Sequence, residues 1–117
     1  MRHLKKGKKF GRLIGDRRSF LRNLSNNLIR RGKIETTEAR AKAIKPAVEK
    51  LITLAKKQNL SSRRLLLSKT HDPKITKKLY EELAPRYLSR PGGYLRIIKL
   101  SKARKRDGTI LTTIEFV

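Results

Sequence analysis

The sequence predicts an α+β fold, a two-layer domain in which helices cover one face of a small sheet. Apolar residues recur three or four positions apart through most of residues 17–85, which is the spacing of amphipathic helices. Segments 94–100 and 110–117 are instead rich in β-forming residues, and the second alternates. The resulting order of helix, strand, three helices and two strands is typical of helices packed on one sheet.

Residues 1–15 are expected to form a basic arm ahead of a single domain over 16–117. Six of the first twelve residues are Lys or Arg, and Gly7, Gly11 and Gly15 interrupt the segment. Such a segment cannot bury enough apolar surface to offset the entropy lost on ordering. We therefore expect an anionic partner to order it, with the glycines allowing a close approach of the backbone.

The first helix is predicted over 17–31, with Asp16 as its N-cap and Gly32 as its terminator. Its apolar face carries Phe20, Leu21, Leu24 and Leu28. The other side is expected to project Arg18, Arg22 and Asn26 into solvent. Phe20 fits a core position better than a base-stacking position. The segment that follows, Lys33–Thr36, is too short for a helix and suits a strand.

A second, longer helix is predicted from a cap at Thr36 or Thr37 to about Lys57. Pro46 lies inside it and has no backbone N–H, so we expect a kink or a restart there. Leu51 is expected to face the sheet from the middle of a broad apolar stripe. The stripe consists of Ile44, Ala47, Val48, Leu51, Ile52 and Ala55.

Two shorter helices complete the helical region. The third is predicted to begin at a cap on Ser61 or Ser62 and to carry Leu65, Leu66 and Leu67. The fourth opens with an N-cap at Asp72 followed by Pro73 at the first helical position. It places Ile75, Leu79 and Leu83 on one face, and Pro85 is expected to disturb its end.

The last part of the chain predicts a β-hairpin. An Arg-Pro-Gly-Gly turn at 90–93 precedes the strand Tyr94–Leu100, and a final strand covers Ile110–Val117. The connection Ser101–Thr109 contains four basic residues followed by Asp107 and Gly108. We therefore expect a hairpin with a basic tip.

The charge balance indicates an anionic partner. The chain has 32 Lys and Arg against 9 Asp and Glu, a net charge of +23, and such self-repulsion opposes compaction. No apolar run approaches the ~18 residues of a membrane-spanning helix, and no secretory signal follows the basic start. The absence of Cys excludes a disulfide framework and fits a reducing cytoplasm. Nucleic acid is thus favoured over a membrane.

No arrangement of residues indicates catalysis. His3 and His71 are far apart with no Cys, which argues against a zinc site. Glu81 and Glu82 are adjacent and would point about 100° apart on a helix, which is wrong for a shared catalytic site. A Gly-x-Ser-x-Gly elbow does not occur. We expect a protein that is not an enzyme and uses no cofactor, metal or small-molecule substrate.

Basic residues occur in three places that folding could bring together: the arm, the first helix and the hairpin tip. Phosphate contacts and counterion release would favour RNA there. Only six aromatic residues occur, so backbone and shape recognition is expected rather than base stacking. Tyr94 is equally consistent with RNA contact and with packing. The candidate RNA-binding residues are Arg2, His3, Lys5, Lys6, Lys8, Lys9, Arg12, Arg17, Arg18, Arg22, Lys42, Arg90, Tyr94, Arg96, Lys102, Arg104, Lys105 and Arg106.

Several strings resemble one known family across nearly the whole chain: MRHLKKGKKFGR, RRSFLRNLSNNLI, IETTEARAKAIKPAVEKLITLAKK, LAPRYLSRPGGYLRI and TTIEFV. The most specific are TTEARAK and RPGGYLRI. Together they resemble the bacterial large-subunit ribosomal protein L17 family. The resemblance implies a cytoplasmic, structural protein that binds 23S ribosomal RNA beside other large-subunit proteins, near the rim of the polypeptide exit tunnel.

Two other interpretations of the function remain open from the residues alone. A DNA-binding protein of the nucleoid type would be expected to contain a helix-turn-helix, but a predicted strand separates the first two helices. A protein that binds acidic partners or membrane surfaces would be expected to carry one basic amphipathic helix. The basic residues here are instead spread over the arm, the first helix and the hairpin.

Overall fold

The computed structural model describes residue 3 and residues 7–117. It confirms the α+β class and the predicted order of elements. The helices and strands are α1 Ile14–Arg31, β1 Lys33–Thr37, α2 Glu38–Ala55, α3 Leu60–Thr70, α4 Pro73–Lys78, β2 Leu95–Ala103 and β3 Ile110–Phe116. After α4 the helix continues through a π-helical turn, Leu79–Leu83, into a last α-helical turn, Ala84–Arg86.

The three strands form an antiparallel sheet in the order β1-β3-β2. Ile34, Ile114 and Ile97 lie opposite one another on the face that the helices cover, and α2 contacts all three strands. The core between the layers includes fully buried aliphatic side chains from the sheet and from several helices. Among them are Leu28, Ile44, Val48, Ile52, Leu66, Leu79 and Ile114.

The predicted start of α1 is wrong by one turn. The helix begins at Ile14 after an N-cap at Leu13 that has no side-chain hydrogen bond. Asp16 lies inside the first turn, where its charge still favours the helix dipole. The predicted end is confirmed, because Gly32 takes the left-handed conformation at φ 83° and its N–H donates to the Leu28 carbonyl.

Asn26 does not project into solvent as predicted. Its side chain is 8% exposed, and its Nδ2 donates to the Thr70 carbonyl at 2.9 Å. Because Thr70 closes α3, this hydrogen bond ties α1 to α3. The partner is 44 residues away in the chain, so helical spacing within α1 alone could not indicate it.

Helix α2 starts at the predicted cap, with the Thr37 hydroxyl accepting from the Arg40 N–H at 3.4 Å. It then runs without a restart through Pro46. The predicted apolar stripe is too wide, since Ala47 is exposed and Leu51 is only half-buried. The face against the core is formed by Ala41, Ile44, Val48, Ile52 and Ala55.

The cap of α3 is Asn59 instead of Ser61 or Ser62. Asn59 Oδ1 accepts from the Ser62 N–H at 2.7 Å, and Ser62 Oγ accepts from the Asn59 N–H at 3.3 Å, which completes a capping box. Of the three predicted leucines only Leu66 is buried; Leu65 and Leu67 are 47% and 44% exposed.

The fourth helix begins as predicted and changes form before Pro85. The Asp72 carboxylate accepts from the Lys74 N–H at 2.9 Å, with Pro73 at the first position. Pro85 has no N–H to donate to the preceding turn. The chain accommodates it by widening to the π-helical turn, whose end is marked by the Ala84 N–H donating to the Leu79 carbonyl.

The hairpin is present, but its connection is shorter than predicted. Strand β2 continues to Ala103, so residues 101–103 are extended and the loop covers 104–109. The register shifts between Lys99 and Ala103, where β2 carries extra residues opposite β3. The last strand, Ile110–Phe116, alternates as predicted, with Thr112 and Ile114 fully buried.

Candidate nucleic-acid interface

An aromatic side chain on α1 holds three segments of the chain together. The Phe10 ring lies 5.8 Å from the Phe20 ring, and the Arg12 guanidinium lies 3.9 Å from the centre of the Phe20 ring. The Arg40 guanidinium, from the first turn of α2, approaches the same ring at 5.0 Å. Phe20 is therefore a half-buried surface anchor instead of the core residue predicted.

Arg40 also lines a polar groove between the end of α1, strand β1 and the start of α2. This basic groove, defined by Asn27, Arg31, Lys33, Thr36 and Arg40, has a volume of about 570 Å³. Glu35 is the acidic residue that lines it, and its carboxylate pairs with Lys102 at 2.7 Å. Among residues 7–117 no ion pair involves Arg31, Lys33 or Arg40, so the groove presents positive charge beside the Phe20 anchor.

Sequence reasoning missed Arg31, Lys33 and Arg40 as candidate site residues. The signal was present in the run Arg30-Arg31-Gly32-Lys33, because a left-handed glycine turns the chain there and brings cations on both sides of it together. Arg40 lies in the TTEARAK string, but its position follows from the capped first turn of α2.

The predicted cations differ in whether a carboxylate already neutralises them. Four of them form ion pairs: Lys42 with Glu38 at 2.8 Å, Arg96 with Glu115 at 2.7 Å, Lys102 with Glu35, and Arg104 with Asp107. The pairing lowers the pKa of the Glu38 and Asp107 carboxyls, in each case mainly through the hydrogen bond from the basic partner.

Most of the other predicted cations that the structure describes have no carboxylate partner in it. Within residues 7–117 no ion pair involves Lys8, Lys9, Arg12, Arg17, Arg18, Arg22, Arg90, Lys105 or Arg106. Most of these side chains are exposed, as is His3, whereas Arg17 and Arg22 are half-buried. Arg2, Lys5 and Lys6 lie outside the described residues.

Tyr94 packs inside the protein and does not lie on the surface, so of the two alternatives for this residue the structure supports packing. The side chain is 1% exposed, and its ring lies 5.2 Å from that of Tyr87. Lys56 Nζ donates to its hydroxyl at 2.9 Å, which lowers the pKa of Tyr94. Lys56 also donates to the carbonyl of Arg90 at 2.6 Å, so this contact fixes the 90–93 turn to α2.

The three predicted basic regions are only partly brought together. The end of the arm, α1 and the first turn of α2 meet around Phe20. In the described part of the chain, no hydrogen bond, ion pair or aromatic contact joins the hairpin tip, 104–109, to residues 7–20. The tip is a separate basic surface at the end of β2 and β3.

The described residues contain no group of His, Cys, Asp or Glu arranged to hold a metal ion. Glu81 and Glu82 are exposed on the π-helical turn. Among the helices that the structure describes, none has the length and apolarity that crossing a membrane requires. The exposed Arg and Lys side chains of these surfaces can bind anions.

Comparison with known proteins gives a consistent result. A model of the family described as ribosomal protein L17 matches residues 20–117. The chain is 50% identical over 117 residues to large ribosomal subunit protein bL17 of Hydrogenobaculum sp., covering 100% of this chain and 99% of that protein. It is 44% identical over 117 residues to bL17 of Thermus thermophilus, with the same coverage, 100% and 99%.

Proposed function

Because this chain belongs to the ribosomal protein L17 family, we propose that it binds 23S ribosomal RNA. Members of this family are components of the large ribosomal subunit, which is cytoplasmic in bacteria. The contact is made by the arm, the Phe20 anchor and the basic groove. The role is structural, without catalysis, and the position near the rim of the polypeptide exit tunnel is part of the same proposal.

The observation that carries the proposal is the convergence of unpaired cations around Phe20. Arg12 and Arg40 contact one ring, and Arg40 continues into the groove with Arg31 and Lys33. Cations that no carboxylate neutralises displace the counterions condensed on a nucleic acid when they meet its phosphates, which favours binding. The Phe20 ring is itself occupied by these groups, so it supports phosphate contact in preference to base stacking.

The C-terminal end of the arm contacts the same Phe20 anchor. Phe10 and Arg12 hold its end against α1, and the Arg12 guanidinium also donates to the Phe10 carbonyl at 2.9 Å. Gly7 and Gly11 have φ of 94° and 64°, which side-chain-bearing residues seldom adopt. A backbone with these turns can follow a polyanion closely, with Lys8 and Lys9 exposed between them.

The test compares two double variants that remove the same charge. Arg31→Ala with Lys33→Ala removes two cations of the basic groove, whereas Lys57→Ala with Arg64→Ala removes two exposed cations beyond the other end of α2. The slope of log affinity for 23S RNA against log salt should become shallower by roughly 1.4–1.8 for the groove variant. The control variant should change it little. Equal changes would contradict a localised groove.

The unmodified protein should lose RNA affinity steeply as salt increases. With about six to ten phosphate contacts, raising the salt concentration from 50 to 200 mM should weaken binding on the order of a thousandfold or more. Duplex DNA of matched length, added as a competitor, tests the nucleoid alternative. A flat salt dependence, or DNA that competes as well as RNA, would overturn the proposal.

A further inference from the structure

A second concave surface lies between α1, α2 and α3, on a side of α1 that the basic groove does not use. This apolar cleft has a volume of about 660 Å³, and its walls are mainly aliphatic. The apolar walls include Leu21, Pro46, Ala47, Leu51, Leu54 and Leu65. Ala47 and Leu65 are exposed and Leu51 is half-buried, so the cleft is open to an occupant.

The floor of the cleft holds a buried acceptor without a donor. Asn26 lines the cleft and is 8% exposed, and its Nδ2 donates a hydrogen bond to the Thr70 carbonyl. Its Oδ1 has no hydrogen-bond partner among the described residues. A buried carbonyl oxygen without a donor is destabilising, because it has lost water and gained nothing in exchange. The Oδ1 atom itself exposes less than 1 Å² of surface, so it adds a polar cost beneath the cleft and is not a contact point for an occupant.

The rim of the cleft is positively charged from all three helices. Arg22 comes from α1, Lys50 from α2 and Lys69 from α3, and all three line the cleft. Within residues 7–117 none of them forms an ion pair. An occupant would thus need apolar groups for the walls and negative charge for the rim.

The lining distinguishes between the two kinds of anionic partner. Extruded bases stack on aromatic rings or guanidinium planes. This cleft has no aromatic wall, and the guanidinium that lines it, Arg22, is half-buried and donates to Ser19 Oγ at 3.4 Å. Its volume exceeds what one base fills and suits several aliphatic side chains, as in grooves that receive an amphipathic helix or peptide. We propose that the apolar cleft binds a segment of another protein with apolar side chains flanked by acidic residues, the apolar groups against the aliphatic walls and the carboxylates beside Arg22, Lys50 and Lys69.

The proposal rests on the chain's place in the large subunit but not on its RNA contact. Photo-crosslinking in assembled subunits tests it, with p-benzoylphenylalanine at Ala47 inside the cleft and at Leu67 as a control outside it. The Ala47 probe should crosslink to a protein segment that contains aliphatic and acidic residues, identified by mass spectrometry. The Leu67 probe should not reach that segment. A crosslink to RNA alone, to a segment without acidic residues, or to nothing overturns the proposal.

A matched pair of variants on α3 tests the charge argument. Leu65→Asp places a carboxylate on the cleft wall, whereas Leu67→Asp adds the same charge at similar exposure, 47% against 44%, outside the cleft. Leu65→Asp should lower the yield of the Ala47 crosslink at least about tenfold through like-charge repulsion, and Leu67→Asp should not. Lys50→Glu, at an exposed rim position, should lower it in the same way.

The affinity for 23S RNA separates this proposal from the preceding one. Leu65→Asp and Leu67→Asp should bind RNA equally well, since neither lies in the basic groove. If Leu65→Asp alone weakens RNA binding, then RNA occupies the cleft and the protein-segment proposal is wrong. If the groove variant leaves RNA binding intact while the Ala47 crosslink is found, the RNA proposal fails and this one stands.

Discussion

Leu51 and Ile52 are neighbours on α2 with different surroundings. Ile52 is fully buried against the core, whereas Leu51 is half-buried and forms a wall of the apolar cleft. Adjacent helical residues point about 100° apart, so a stripe of apolar residues wider than one contact face must serve two surfaces. The sequence shows that both residues are apolar, but only the packing of α1 and α3 beside α2 separates them.

Truncation of each residue should show this difference. Ile52→Ala is expected to lower the free energy of unfolding by about 2–5 kcal/mol, through lost burial and a cavity. Leu51→Ala should cost about 1 kcal/mol, because its side chain is partly in solvent already. Urea unfolding of both variants measures the difference. Equal losses would place Leu51 in the core.

The Glu38 carboxylate makes a pH-dependent contribution to stability. Its pKa is lowered first by the hydrogen bond from Lys42, then by the charges of Lys42 and Lys99. A carboxyl whose pKa is lower in the folded protein stabilises it fully above its ordinary value of 4.5, and this stabilisation is lost as the pH falls through the folded-state pKa.

Glu38→Gln should therefore reduce the dependence of stability on acid. At neutral pH the variant should be less stable than the original protein, and the difference should shrink as the pH falls below 4.5. Urea midpoints across this range are the measurement, with Glu81→Gln as a control at an exposed carboxyl that has no ion pair among the described residues. A constant difference at all pH values would contradict the assignment.

Among the secondary-structure elements, the type and order could be predicted and the ends often could not. Gly32 and Asp72 end and begin helices as expected, since each has one suitable conformation or cap. Asp16 and Ser62 are good caps that lie inside helices, because Leu13 and Asn59 come first. The residue that caps a helix depends on where tertiary packing starts the helix, and a short stretch of sequence does not contain that information.

Gly15 inside α1 and Gly32 at its C-terminal cap should respond oppositely to the same substitution. Gly32→Ala puts a side chain at φ 83°, and since nothing lies within 4 Å of the new carbon, the cost of about 1–2 kcal/mol is backbone strain alone. Gly15→Ala lies in the first turn of α1 with equal space, and should stabilise by about 0.5 kcal/mol. Thermal or urea unfolding checks both signs. Stabilisation by both substitutions would rule out a left-handed cap at residue 32.

In the whole molecule, charge is distributed unequally. Five of the nine carboxylates form the ion pairs found in the described residues: Glu35, Glu38, Asp72, Asp107 and Glu115. The sequence predicted a basic surface. It did not predict that these carboxylates would pair with cations of the hairpin and of the helix ends, while the described cations beside Phe20 and in the basic groove form no ion pair with the described residues. Part of that division depends on the register of β2 and β3, which places Arg96 opposite Glu115.

The free protein should become more stable as salt is added. Repulsion within a chain of net charge +23 opposes the compact state, and ions screen it. The urea midpoint should rise with sodium chloride and level off near 1 M, where the screening length is about 3 Å. Chloride is used because sulfate also strengthens apolar burial. A midpoint that falls with salt would mean that internal ion pairs outweigh the repulsion.

The sheet order β1-β3-β2 sets a constraint on synthesis. The central strand is the last of the three to leave the ribosome that makes it, and β1 and β2 do not pair with each other. Until residues 110–116 emerge, a nascent chain carries its helices beside two strands with unpaired edges, which are open to other chains. Strand β3 then completes the sheet, because it pairs with both β1 and β2. Two hydrogen bonds fix the end of the chain: the Tyr87 hydroxyl donates to the Val117 carbonyl, and the Val117 N–H donates to the Tyr94 carbonyl. A chain stalled before residue 110 would lack the strand that both edges need.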